Sequence, residues 1–122
     1  MAAGSGRVAL VEDDAGMREA LERVLVAAGF MVSAFSSAEA ALLDRSTLDS
    51  DCLVLDIHLP GLSGFELYER LVAVGRKPPV IFITARDDPV HQDRARQLGA
   101  LDYLVKPFSG RALSAIVSKA FA

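Results

Sequence analysis

Five short apolar runs, spaced roughly 25 residues apart, constrain this chain more than any other feature: Val8 to Val11, Phe30 to Phe35, Cys52 to Leu55, Val80 to Ile83 and Tyr103 to Val105. Most are dense in Val, Ile, Leu or Phe, the composition of strands buried on both faces. The second, Phe30-Met31-Val32-Ser33-Ala34-Phe35, carries a polar residue and little branching, which suits an edge strand. Helical spacing fills the intervals. Met17, Leu21, Val24, Leu25 and Ala28 share one helix face, with Gly29 placed as the stop, and Leu113, Ile116, Val117, Ala120 and Phe121 repeat the pattern at the end. Ser36 with Glu39, and Ser63 with Glu66, read as capping boxes, and Asp88-Pro89 opens a helix that runs to about Leu98 before Gly99. Val90 and Leu98 are the only large apolar residues of that helix, so it is expected to be the most loosely docked. Strand alternating with helix five times implies parallel pairing, right-handed crossovers and helices on both faces: a doubly wound, five-stranded α/β domain.

With 122 residues the chain makes one domain, able to bury roughly 65% of its unfolded surface. Its 52% apolar and 24% charged residues exclude a disordered or collagenous chain. Met1 to Gly6, rich in Ala and Gly, reads as a flexible leader or tag, leaving 7–122 as the domain. A single cysteine forms no internal disulfide, which points to a reducing compartment, and Cys52, heading a buried run, reads as a packed small hydrophobe. The net charge of -3 offers no field for a polyphosphate, so direct nucleic-acid binding is not expected. No apolar run has membrane-spanning length and no signal peptide is evident, so the expected location is the cytoplasm.

In such a sheet ligands bind beyond the carboxyl ends of the strands. Four of the runs end in chemistry: Glu12-Asp13, Asp56, Thr84 and Lys106. An acid pair, an acid, a hydroxyl and an amine at neighbouring strand ends describe one site. Carboxylates brought within about 4 to 6 Å repel by about a few kcal/mol per pair at an effective dielectric near 20, so they take up protons or hold a cation. All-oxygen ligands suit Mg²⁺. His58 and His91 lie far apart in sequence, and no cysteine is placed to complete a zinc set. A cation, a hydroxyl and an ammonium aimed at one carboxylate can accept a phosphoryl group, with Asp56 as nucleophile, Mg²⁺ and Lys106 neutralising charge, and Thr84 donating a hydrogen bond. Gly61 and Gly64 read as turn residues, and neither phosphate-binding glycine motif is present, which disfavours nucleotide binding.

The fragments Val11-Glu12-Asp13-Asp14, Leu55-Asp56-Ile57-His58-Leu59-Pro60-Gly61-Leu62-Ser63-Gly64, Ile83-Thr84-Ala85 and Gly99-Ala100-Leu101-Asp102-Tyr103-Leu104-Val105-Lys106-Pro107-Phe108, in this order and spacing, resemble the receiver domains of two-component response regulators. The resemblance covers the chain from Arg7 onward and implies a CheY-like, flavodoxin-like fold with strand order 2-1-3-4-5. It implies Asp56 as phosphoacceptor and Mg²⁺ held by Asp13 directly, by Glu12 through water, by Asp56 and by the backbone carbonyl of His58. Thr84 and Lys106 match the phosphate-sensing pair, Lys106-Pro107 is similar to a bond that is cis in the family, and Tyr103 matches an aromatic switch. The implied donor is a histidine kinase or a histidine phosphotransfer protein. The implied output is a partner protein, an output domain or a phosphorylation-dependent homodimer, engaged through the fourth helix, fifth strand and fifth helix, after which the domain dephosphorylates itself. It is a switch rather than an enzyme acting on other substrates.

Two other readings remain open on sequence alone. One is a receiver-like interaction module that ignores phosphate. The other is a Mg²⁺-dependent aspartyl phosphatase of the haloacid-dehalogenase type, although His58 stands where that family places a second Asp. Asp14 reads as the N-cap of the first helix rather than a metal ligand, and Thr84 could also cap a helix. His91, on a polar helix, is expected in solvent, and the His58 side chain is expected to be exposed at the mouth of the site.

Overall fold

The computed structural model describes residues 6–121. Five strands, β1 (Arg7–Val11), β2 (Met31–Phe35), β3 (Cys52–Asp56), β4 (Val80–Thr84) and β5 (Asp102–Val105), form one parallel sheet in the order β2-β1-β3-β4-β5. The helices are α1 (Ala15–Ala27), α2 (Ala38–Leu42), α3 (Arg45–Leu48), α4 (Gly64–Ala73), α5 (Pro89–Gln97) and α6 (Gly110–Lys119). Among the described residues no helix is long and apolar enough to cross a membrane.

Because side chains along a strand alternate between faces, each central strand feeds two cores. Ala9, Val11, Leu53, Leu55, Val80 and Phe82 pack under α2, α4 and α5 with Phe65, Leu67, Tyr68 and Leu71. Val8, Leu10, Val54, Ile81 and Ile83 pack on the opposite face against Leu21 and Leu25 of α1 and Leu113 and Val117 of α6. Each fully buried Leu, Ile or Phe here contributes about 1.5–3 kcal/mol over its exposed state. β3 and β4 are buried along their whole length, whereas β2 and β5, at the two edges, are mostly half-buried. The polar, weakly branched second run is thus an edge strand. Cys52 is buried, and loss of hydration, with the Asp51 charge, pushes its thiol up to about 12.

Two local expectations are corrected. The second helical segment is broken: Leu43 closes α2, and Asp44 caps α3 by accepting from the Ser46 N–H. Six helices result among the described residues, and the fourth and fifth of the sequence pattern are α5 and α6. The cap of α2 is Ser37, not Ser36; its Oγ accepts from the Ala40 N–H, while Glu39 reaches to the loop after β3 instead. Asp88 caps α5 with Pro89 in its first turn, as expected. The expected box at Ser63 and Glu66 is present in both directions. Gly29, Gly61 and Gly99 take the positive φ that turn positions demand. Of the expected leader, Met1 to Ser5 lie outside the described residues, while the Gly6 carbonyl accepts from the Met31 N–H.

α5 is the least anchored long helix. Ala95 is its one buried residue and Val90 is 71% exposed.

Candidate functional site at the strand carboxyl ends

The strand order places the ends of β1 and β3 side by side, with β4 and β5 beyond β3, and brings Glu12, Asp13, Asp56 and Lys106 together. Oxygens of Glu12, Asp13 and Asp56 lie within 4.8 Å of one another. Glu12 is 1% and Asp56 4% exposed, while Asp13 faces solvent. Two nearly buried carboxylates need partners. Lys106 supplies them, its Nζ donating to Glu12 Oε1 at 2.6 Å and to Asp56 Oδ2 at 3.0 Å. Burial works against the ammonium, but the hydrogen bonds and charges of Glu12 and Asp56 outweigh it and raise the Lys106 pKa above its ordinary value.

Backbone donors fix both buried acids. The Asp14 N–H donates to Glu12 Oε2 and the His58 N–H to Asp56 Oδ1, each at 3.0 Å. Arg18 donates to the Glu12 carbonyl at 3.0 Å, a tie the sequence pattern did not single out. Asp14 caps α1 by accepting from the Met17 N–H at 2.7 Å, the structural role expected of it. Lys106-Pro107 is cis.

Thr84 is fully buried, and its hydroxyl donates to the Arg86 carbonyl and accepts from the Arg86 N–H rather than meeting Asp56. Tyr103 is half-buried against the core, with its hydroxyl accepting from the Asp88 N–H at 3.4 Å. Two features of the acceptor loop were missed. Glu39 accepts from the Leu62 N–H at 2.9 Å, which holds its carboxyl below the usual range. Gly64 sits so close to Asp56 that a Cβ there would drive into the Asp56 carbonyl. The glycine was read as a turn residue, but it begins α4.

The histidine expectations are also corrected. His58 and His91 are both half-buried, and their rings meet with centroids 5.0 Å apart, because the loop after β3 faces the first turn of α5. Burial, then the charges of Arg86 and His91, lowers the His58 pKa.

A model of the response regulator receiver domain matches residues 8–118. The chain belongs to that family. The receiver is 37% identical over 115 residues to the transcriptional regulatory protein FixJ of Bradyrhizobium diazoefficiens, covering 94% of this chain and 56% of the relative. CreB of Escherichia coli is 39% identical over 108 residues, covering 88% and 47%. The receiver thus spans about half the length of these curated relatives. Among solved structures, the non-phosphorylated HemR receiver domain from Leptospira biflexa superposes with a TM-score of 0.86 at 30% identity, covering 97% of this chain and 95% of that one. Family and fold together make this a CheY-like receiver, the phosphoryl-accepting signalling switch of two-component systems.

Proposed function

We propose that the receiver takes its phosphoryl group on Asp56 from the phosphohistidine of a histidine kinase or a histidine phosphotransfer protein, in the cytoplasm. The observation that carries this reading is the buried Asp56 carboxylate, bonded to Lys106 and sharing an all-oxygen cluster with Glu12 and Asp13. A cluster of three acids with one ammonium keeps an excess of negative charge, and hard oxygen donors with one exposed member fit Mg²⁺. Asp13, Asp56 and the His58 carbonyl would hold the ion, with Glu12, whose oxygens are already engaged, acting through water. Bound there, Mg²⁺ supplies charge neutralisation for the phosphoryl oxygens.

The protein groups supply the rest. The His58 N–H and Lys106 orient the Asp56 carboxylate, whose oxygen attacks phosphorus as the P–N bond to the donor imidazole breaks. Lys106 moves from Glu12 onto a phosphoryl oxygen, and the Thr84 hydroxyl leaves Arg86 to donate to another. Water later cleaves the acyl phosphate and restores the carboxylate. The phosphate adds about -1.5 to -2 charges at the site. Drawing Thr84 inward disturbs the segment before α5 that Tyr103 contacts at Asp88. Because α5 buries a single residue, the α5-β5-α6 face is the cheapest to rearrange, and a groove of ≈ 370 Å³ lined by Gln92, Ala95, Arg96, Ala100, Asp102 and Tyr103 lies on it. That face engages an output domain, a partner protein or a second phosphorylated copy.

Incubation with a small phosphoryl donor and Mg²⁺, followed by intact mass spectrometry, is expected to add one phosphate to wild type and none to Asp56→Asn. Equal labelling of the two proteins defeats the proposal.

A further inference from the structure

Beside the carboxylate cluster lies a second pair of metal-ligating side chains that the phosphoryl chemistry does not use. His58, on the loop after β3, and His91, in the first turn of α5, pack edge to face with ring centroids 5.0 Å apart. His58 Nε2 and His91 Nδ1 are both buried and have no hydrogen-bond partner. An orphaned buried polar atom costs about 1–3 kcal/mol, so each of these two nitrogens calls for a partner.

We infer that His58 and His91 form a transition-metal site, suited to Zn²⁺ and separate from the oxygen site for Mg²⁺. The dimensions fit. With Zn–N bonds of about 2.0–2.1 Å and each nitrogen about 1.1 Å from its ring centroid, two imidazoles on one tetrahedral ion have centroids about 5 Å apart. That is the separation the two rings already have. The site requires the two unclaimed nitrogens to converge on the ion, with water in the remaining positions. Imidazole selects Zn²⁺, Cu²⁺ or Ni²⁺ over Mg²⁺, so the two sites divide their metals by ligand type. Two protein ligands make a reversible site rather than a structural zinc site, which is closed by four. A bound ion would tie α5 to the loop that follows Asp56, restraining the least anchored helix of the domain.

The test is calorimetric titration of Zn²⁺ into the tag-free chain in saturating Mg²⁺, with His91→Gln, His58→Gln and Asp13→Asn alongside wild type. One equivalent is expected in wild type and Asp13→Asn, and at least tenfold weaker binding in both histidine variants. Absence of binding to wild type, full binding in His91→Gln, or loss of binding in Asp13→Asn overturns the inference. Imidazole NMR resonances of wild type give a readout that does not depend on variant folding: both histidines must shift together and saturate at one equivalent. A shift of one ring alone overturns it too. Neither measurement involves phosphorylation, so the outcome is independent of the proposal for Asp56.

Discussion

Asp13→Asn should stabilise the metal-free domain. Asp13 lies with Glu12 and Asp56 in a cluster whose oxygens are within 4.8 Å of one another, and Lys106 bonds to the latter two but not to Asp13. The Asp13 carboxylate therefore meets two negative charges and one positive, a net repulsion close to that of a single like-charged pair. At this separation such a pair is worth about 3.5 kcal/mol at an effective dielectric of 20 and about 0.9 kcal/mol at that of water. Asp13 is exposed, so the lower figure governs and the expected gain is about 1 kcal/mol. For a domain of this size that raises Tm by about 3–5 °C. Thermal unfolding followed by circular dichroism in a chelator should show the variant melting above wild type. Saturating Mg²⁺ should then raise the wild-type Tm and leave the variant almost unmoved, since a ligand stabilises only the state that binds it. A variant no more stable than wild type in the chelator refutes the electrostatic reasoning.

Lys106→Met leaves two carboxylates, 1% and 5% exposed at the side chain, without their ammonium, and metal-free urea denaturation should register a loss of about 3–5 kcal/mol. The pH dependence has a definite sign: because folding raises the Lys106 pKa, its contribution is complete below the ordinary value of 10.5 and disappears as pH climbs through the higher folded value. The gap between wild type and Lys106→Met should therefore be constant through neutral pH and narrow only in alkali; a gap that already closes between pH 6 and 9 contradicts this. Gly64→Ala forces a Cβ into the Asp56 carbonyl, for a cost of about 1–3 kcal/mol and a displaced acceptor loop, visible as a lower urea midpoint and slower phosphorylation by a small donor. Unchanged midpoint and rate would show that the loop has slack.

The sheet was legible because each of its strands is a compact apolar run, and even the weakness of the second run located an edge. The site was legible because doubly wound sheets gather strand ends, so residues from Glu12 to Lys106 could be grouped without distances. What sequence missed depends on contacts between elements. The break between α2 and α3 rests on Asp44 capping within an otherwise helical stretch, and two adjacent serines, Ser36 and Ser37, compete for one cap. Glu39 had a local reading as a capping residue, but a backbone N–H at Leu62, 23 residues away, captures it. His58 and His91 were separated by 33 positions, and only the packing of α5 against the acceptor loop brings their rings together. Gly64 carried no signal beyond its type, since the close approach of the Asp56 carbonyl exists only once α4 is docked.

The identity of the phosphorylated atom is the central point, and chemical trapping reads it directly. The domain is charged with a small phosphoryl donor and Mg²⁺, reduced with borohydride so that an aspartyl phosphate becomes a stable alcohol, and peptide-mapped. Conversion confined to Asp56 is the predicted result. Conversion at Glu12 or Asp13, or phosphate retained on His58 or His91, contradicts the account.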